Sequence, residues 1–302
     1  MSSTTQQPAD PASEPPSDAA SVPAPEPAPD PASGPGRPRR VSVVVATRNR
    51  PTDIRHLLTS IVAHDNGTVH EVVLVDDASD APLTVDDADR PFPVRILRNA
   101  RCLGAAASRN LAAREATGDV LAFLDDDARP LPDWFHVLDS ALTPDRAAVT
   151  GRVLPFDSSI VARARQYRYE VRYDKHPEYS PVTFFAGGNS AVWTDRFLAA
   201  DGFPDVVTAS DNGLVERLAD SGGQVFFVPA LRIAHRNSKG AGIAFREAWR
   251  AGRLAPRSTP AAALRRFADT ARIQPWSDDP AAAGLNLGLQ AANSLATALP
   301  AV

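Results

Sequence analysis

The sequence predicts an α/β domain: a mostly parallel sheet with helices on both faces. Three observations predict it. Short β-branched runs alternate with segments of helical period from residue 41 to about residue 142. The runs are apolar throughout, as strands buried on both faces are. Three of them end in polar clusters, Thr47-Arg48-Asn49, Asp76-Asp77 and Asp125-Asp126-Asp127. Ligands in such sheets bind beyond the carboxyl ends of the strands.

The elements follow in order. "RVSVVVAT" is a buried strand built on Val41, Val43, Val44 and Val45. "PTDIRHLLTSIVAH" places Ile54, Leu57, Leu58, Ile61 and Val62 at helical spacing, with Pro51 and Thr52 as starting signals. "HEVVLVDD" is the second strand and "VRILRN" the third. "LGAAASRNLAAREATG" is a small-residue helix that Gly118 is expected to terminate. "DVLAFLDDD" is the fourth strand and "LPDWFHVLDSAL" the next helix.

The second half is less periodic. "SSIVARARQYRYEVRYD" predicts a basic helix, and "VTFFAGGNSAVWTDRF" two short strands around Gly187-Gly188. "SDNGLVERLADSGG" is a helix with Leu214 and Leu218 at i, i+4. "QVFFVPALRIAHR" is a strand interrupted at Pro229, and "NSKGAGIAFREAWRAGRL" a flexible entry into a helix. Three divisions are expected: a disordered Pro/Ala-rich tail over 1–38, a domain over 39–255 with halves at 39–135 and 136–255, and a helical extension or tail over 256–302. The first is too poor in apolar residues to offset its ordering entropy.

Composition bounds the function. The chain of 302 residues is 43% hydrophobic and 23% charged, with a net charge of −4. That balance gives no basic excess for nucleic-acid binding. One cysteine, Cys102, excludes an internal disulfide framework, which points to a reducing cytoplasm and a small packed thiol. The N-terminus carries no signal-peptide pattern. The uncharged stretch from Ala281 onward is rich in small residues and interspersed with Asn286, Gln290 and Asn293. It reads as a soluble helix or a tail rather than a bilayer span; peripheral contact with a membrane stays compatible with the composition.

Several chemistries are excluded by motif. No GxGxxG follows the first strand, no phosphate-binding GxxxxGK[ST] occurs, no histidine pair has zinc spacing and no GxSxG elbow is present. The aspartate run points elsewhere. A divalent cation bound to a diphosphate needs one or two protein carboxylates, the rest of its shell coming from phosphate and water. Alternation at a strand end would turn Asp125 and Asp127 to one site and Asp126 to another.

Read in order, "VSVVVATRNRP", "EVVLVDDASD", "GAAASRNLAAREATGDVLAFLDDDARPLPDWF", "FFAGGNSAVWTDRF", Asp201-Gly202-Phe203, "SDNGLVERL" and "VPALRIAH" resemble the inverting family 2 glycosyltransferases. The resemblance covers roughly residues 41–236. It implies a GT-A fold, with a Rossmann-like sheet, and metal-dependent transfer of a hexose-type sugar from a nucleotide-diphosphate sugar, by family habit UDP-linked, to a hydroxyl acceptor. By the same resemblance Thr47, Arg48 and Asn49 border the base. Asp77, supported by Asp76, accepts a hydrogen bond from it, and Asp126 reaches the ribose. Arg109 lies near the diphosphate or braces the aspartate loop, a surface arginine being the alternative. Asp127, with Asp125, holds Mn²⁺ or Mg²⁺, and His235 stands near the metal or phosphates. Gly187, Gly188 and Asn189 line the junction of donor sugar and acceptor, and Asp211 is the general base.

The chain departs from the family pattern at two places. Ser210 stands where the family often has a second acidic residue, and Asp201 where it has the first of two glycines. Those departures keep open a degenerate member that binds without turnover. A sugar nucleotidyltransferase is the remaining alternative, but "TRNRP" lacks the Gly-rich loop of those enzymes. The processive synthases' QxxRW motif is missing, which implies a single, non-processive transfer.

Overall fold

The computed structural model describes residues 39–86, 89–205, 210–235, 240–274 and 276–299. The tail expected over 1–38 and the flexible entry at 236–239 lie outside the described residues.

Chain order runs β1 (Val41–Thr47), α1 (Pro51–His64), β2 (Val69–Asp76), β3 (Val94–Arg98), α2 (Ala105–Glu115), β4 (Val120–Leu124), β5 (Ala128–Pro130) and α3 (Trp134–Ala141). It continues through β6 (Ala148–Pro155), α4 (Ile160–Tyr173), β7 (Pro181–Val182), β8 (Asn189–Trp193), α5 (Thr194–Ala199), α6 (Ser210–Asp220) and β9 (Val225–His235). Helices α7 (Ala241–Leu254), α8 (Pro260–Arg272) and α9 (Pro280–Ala298) close it.

The strands form one sheet in the order β3-β2-β1-β4-β8-β6-β9-β5, with β7 on β9. β3, β2, β1 and β4 are parallel throughout, as are β6 and β9. The β4–β8, β6–β8, β5–β9 and β7–β9 pairs are antiparallel, so the parallel character belongs chiefly to the first half. The chain leaves β1 toward β2 on one side and returns to β4 on the other, a switch point that opens a crevice beyond the end of β1.

Side-chain alternation divides the core. Val43, Val45, Val72 and Leu74 face Leu57, Leu58, Trp134 and Phe135 of α1 and α3. Val44, Val73, Val75 and Phe123 face Ala112, Phe197, Leu214 and Leu218 of α2, α5 and α6. Fully burying each Leu, Val or Phe contributes about 1.5–3 kcal/mol, so each face anchors its helices independently.

Three expectations change. Helix α2 ends at Glu115, and Gly118 does not cap it. Gly118 is needed for space: a Cβ there would meet the carbonyl of Arg40 and the Ser42 hydroxyl at 2.6 Å. Pro229 does not end β9. Gly151 pairs with Val228 and Arg152 with Arg232, so Pro229, Ala230 and Leu231 bulge out while the strand continues to His235. Of the two strands expected around Gly187-Gly188, β8 begins just after the turn, β7 is only two residues long, and "TDRF" opens α5.

At the end of the sheet remote from that crevice, Glu71 is buried. Its Oε1 accepts from the Ser42 hydroxyl at 2.8 Å and from the Thr117 backbone at 2.6 Å, and Oε2 pairs with Arg95 at 3.0 Å. Burial alone would raise its pKa; the bonds from Thr117, Arg95 and Ser42 outweigh burial and hold it at about 2, against an ordinary 4.5. A carboxylate depressed on folding contributes stability that is whole above the unfolded value and lost as pH falls toward the folded one. Glu71→Gln should therefore lower stability at pH 7 by on the order of 3 kcal/mol. It should also flatten the loss of stability of the parent between about pH 4.5 and pH 2. Urea unfolding across that range checks both.

Candidate active site

Two cavities open beyond the carboxyl ends of β1 and β4. The first, of about 420 Å³, is lined by Thr47, Arg48, Asp77 and the aspartate triplet among others. The second, of about 350 Å³, is lined by Gly187, Gly188, Asp211, Phe185 and, from α4, Arg165 and Tyr169. Arg109, Asp125 and His235 line both, so the cavities meet at these three side chains.

The triplet lies in a turn just past β4, closed by the Ala128 N–H donating to the Asp125 carbonyl at 3.0 Å. Within this turn Asp125 and Asp127 both reach His235, while Asp126 turns to Thr47. Asp126 accepts from the Thr47 hydroxyl and from Arg50 Nη1, each at 2.8 Å. Asp127 accepts from the same Arg50 nitrogen at 2.8 Å and lies 2.9 Å from His235 Nε2. Asp125 accepts from Arg109 Nη2 at 2.6 Å, its other oxygen standing 3.6 Å from His235 Nε2. Strand β5 makes this possible: it pairs with the end of β9 and sets Ala128 opposite His235.

Arg50 answers the repulsion within the triplet. Burial works against its charge, but Asp126 and Asp127 outweigh it and raise its pKa. Burial is also what chiefly raises the Asp126 carboxyl, with Asp127 and Asp125 adding to it against the pull of Arg50 and Thr47. Sequence reasoning missed Arg50. It is the fourth residue of the "TRNRP" stretch, just before α1, and its partners lie more than 75 positions away.

Asp125, Asp127 and His235 each offer one ligand atom, all within 4.8 Å of one another. Two carboxylate oxygens and one imidazole nitrogen suit a divalent ion such as Mn²⁺. The residues present therefore fit the expected metal.

Arg109 is no surface arginine. It is 8% exposed on the buried side of α2, bonded to Asp125 and 3.8 Å from Asp211. Asp211, in the first turn of α6, accepts from the Gly187 N–H at 3.2 Å and remains partly open to the second cavity. Gly187 and Gly188 are glycines because these carboxylates press against them. A Cβ on Gly188 would meet Asp125 Oδ2 at 2.1 Å, and one on Gly187 would meet Asp211 Oδ1 at 2.8 Å.

Three expected site residues line neither cavity. Asp76 is fully buried and holds the loop after β2, accepting from the backbone of Ser79 and Leu83 and pairing with Arg98. Burial would raise its pKa, but those bonds keep it below the usual range. Asn49, at φ +57°, donates from Nδ2 to the Asp80 carboxylate at 3.2 Å and accepts from the Asp80 backbone N–H at 2.8 Å. Asn189 lies behind the wall, where it accepts from Trp134 Nε1 at 2.8 Å and donates to the carbonyls of Arg152 and Leu231. It braces the β9 bulge from inside.

Asp77 does reach the first cavity. It accepts from Asn99, from the backbone of Leu103 and Gly104 and from the Cys102 thiol, which hold its pKa low against the opposing effect of burial. Cys102 is thus an exposed thiol beside the crevice, not the packed one expected.

A family model described as "Glycosyl transferase family 2" matches residues 42–199, just over half the chain. The chain belongs to glycosyl transferase family 2. Among relatives of this family 2 chain, an uncharacterized glycosyltransferase of Haemophilus influenzae is 39% identical over 93 residues, 31% of each chain. A pre-mycofactocin glycosyltransferase of Mycobacterium tuberculosis is 28% identical over 209 residues, 65% of this chain and 43% of the relative. The family 2 chain thus aligns with less than half the length of either relative. Among solved structures, the mannosyltransferase PcManGT of Pyrobaculum calidifontis, in complex with GDP-Man and Mn²⁺, superposes with a TM-score of 0.54 over 87% of this chain and 75% of its own, at 21% identity. That likeness supports the GT-A fold.

Proposed function

We propose that this family 2 protein is a metal-dependent, inverting glycosyltransferase. It moves a hexose-type sugar from a nucleotide-diphosphate sugar, by family habit a UDP sugar, to a hydroxyl acceptor in one transfer. The observation that carries the reading is the pair of cavities joined at Arg109, Asp125 and His235. The first receives the nucleotide, with Asp77, Thr47 and Arg48 at the base and Asp126 at the ribose. The second receives the acceptor beside Asp211. Asp125, Asp127 and His235 hold Mn²⁺ or Mg²⁺, which when bound neutralises charge on the diphosphate. PcManGT, of like fold, was solved with GDP-Man and Mn²⁺, which supports a nucleotide-sugar and divalent-metal reading without fixing the base.

The step balances simply. The acceptor oxygen attacks the anomeric carbon in line, the bond from that carbon to the diphosphate oxygen breaks, and the hydroxyl proton passes to Asp211. Inversion follows from the single displacement. Arg109 donates to Asp125 at 2.6 Å and stands 3.8 Å from Asp211, so it ties the two carboxylates' positions together.

The test is release of nucleoside diphosphate from UDP and GDP sugars with Mn²⁺ and a panel of hydroxyl acceptors. Metal-dependent release with product formation supports the reading. Tight nucleotide binding without release across the panel overturns it in favour of a non-catalytic member. The nucleotide cavity has its own test. Cys102 stands 3.1 Å from Asp77, so bound UDP or GDP should shield it from N-ethylmaleimide. At ten times its Kd, the nucleotide should slow alkylation about tenfold.

A further inference from the structure

Helices α7, α8 and α9 carry a surface that the transfer site does not use. α7 packs through Ala244, Ala248 and Gly252, with Gly252 close against Asn293 of α9. α8 is tied to α9 by Arg266, which donates to Thr297 Oγ1 at 2.8 Å. The remaining faces look outward. On α7, Ile243, Arg246 and Arg250 recur at three- and four-residue spacings and so share one stripe, flanked by Trp249; Arg253 follows on the same row but donates to the Leu299 carbonyl at 3.3 Å. On α8, Arg265 and Arg272 lie two turns apart beside Leu264, which is 67% exposed.

Scattered exposed apolar side chains are ordinary. Their concentration here is not: nine of the sixteen exposed large hydrophobics among the described residues fall within 243–299. Trp249 and Trp276 are among them, whereas Trp134 and Trp193 are buried. Charge concentrates in the same place. Residues 241–272 hold seven arginines against two acidic residues, Glu247 and Asp269, a net of +5 within a chain of net −4.

Arginines among tryptophan and aliphatic tips suit a helix lying in the interface of an anionic bilayer, heads toward lipid phosphate and apolar tips toward the acyl boundary. α7 and α8, of 14 and 13 residues, reach only about 20 Å, short of a hydrocarbon core of about 30 Å. Among the described residues, no helix is long and apolar enough to cross a membrane.

We propose that α7, α8 and the connection holding Trp276 dock this protein on an anionic lipid surface. Charge decides between occupants. A second copy joined through the same face would set Arg246, Arg250, Arg265 and Arg272 against their counterparts, with Asp269 beside Arg272 to offset them; Arg253, Arg257 and Arg266 donate instead to Leu299, Ala296 and Thr297. Anionic headgroups neutralise those four outward arginines. The proposal stands apart from the transfer reaction, since its test needs neither donor nor acceptor.

The experiment is flotation of the full chain with vesicles of phosphatidylcholine alone and of phosphatidylcholine mixed with phosphatidylglycerol, alongside tryptophan emission. The protein should float with the phosphatidylglycerol vesicles, shift its emission to the blue, and be released as added salt screens the arginines. Arg246→Gln, Arg250→Gln and Arg265→Gln should each weaken binding about fivefold. An unchanged thermal midpoint shows that a variant is folded, and the salt titration of the parent needs no variant. Three results would overturn the proposal: no flotation, equal and salt-insensitive binding to neutral vesicles, or a stable dimer that buries Trp249 in place of lipid. Capture of an acidic protein without vesicle binding would do the same.

Discussion

Asp211→Asn should lower kcat for sugar transfer by about 10²- to 10⁴-fold, the usual contribution of a positioned general base. The substitution is close to isosteric. Asparagine can still accept the Gly187 N–H bond that the carboxylate accepts at 3.2 Å, so α6 and the Gly187-Gly188 turn keep their places. What is lost is the lone pair that takes the acceptor proton. The cavity proposed for the nucleotide is not lined by Asp211, so nucleotide affinity should stay within a few-fold. Steady-state kinetics with calorimetric nucleotide binding separates the effects: kcat falls while Kd holds. Turnover at the parental rate would remove Asp211 from the reaction. A matching loss of nucleotide affinity would instead indicate that Arg109, 3.8 Å away and also bound to Asp125, had rearranged.

The first half of the fold was legible because its signals are local. Val43 to Val45, Ile54 to Ile61 and Val120 to Leu124 carry their periods within single elements, and the two strands among them end in polar residues at the crevice. Strand β6 left no such signal. Its residues "AVTGRVLP" neither alternate nor run apolar, and they become a strand by pairing with β8 and β9. Gly151 shows how far tertiary contact decides: a Cβ there would lie 1.9 Å from the Leu231 carbonyl in the β9 bulge. The site divides the same way. The aspartate triplet, Asp77 and Asp211 could be picked out by motif. That Arg50 would hold Asp126 and Asp127, that Asn189 would brace a bulge, and that Arg165 and Tyr169 would wall a cavity all depend on register between distant segments. The three-residue strand β5, which brings His235 to the triplet, is too short to carry a period.

Asp127→Ala should abolish most metal-dependent transfer, by on the order of 10³-fold, since several kcal/mol of charge stabilisation at the diphosphate depend on the metal site. Asp127 is the better-placed of the two candidate carboxylates. Its side chain is 5% exposed and already aligned with His235 Nε2 at 2.9 Å, whereas that of Asp125 is 37% exposed and shared with Arg109 at 2.6 Å. Removing Asp127 leaves Arg50 paired with Asp126, so the loop keeps a counter-ion and the fold should survive. The decisive readout is Mn²⁺ affinity, followed by electron paramagnetic resonance on the protein without donor. It should weaken strongly in Asp127→Ala and less in Asp125→Ala. Unchanged Mn²⁺ binding in Asp127→Ala would move the metal away from this cluster. If His235 completes the same site, His235→Ala combined with Asp127→Ala should cost less than the sum of the two single losses, because ligands of one ion are not independent. Strict additivity would place His235 outside it.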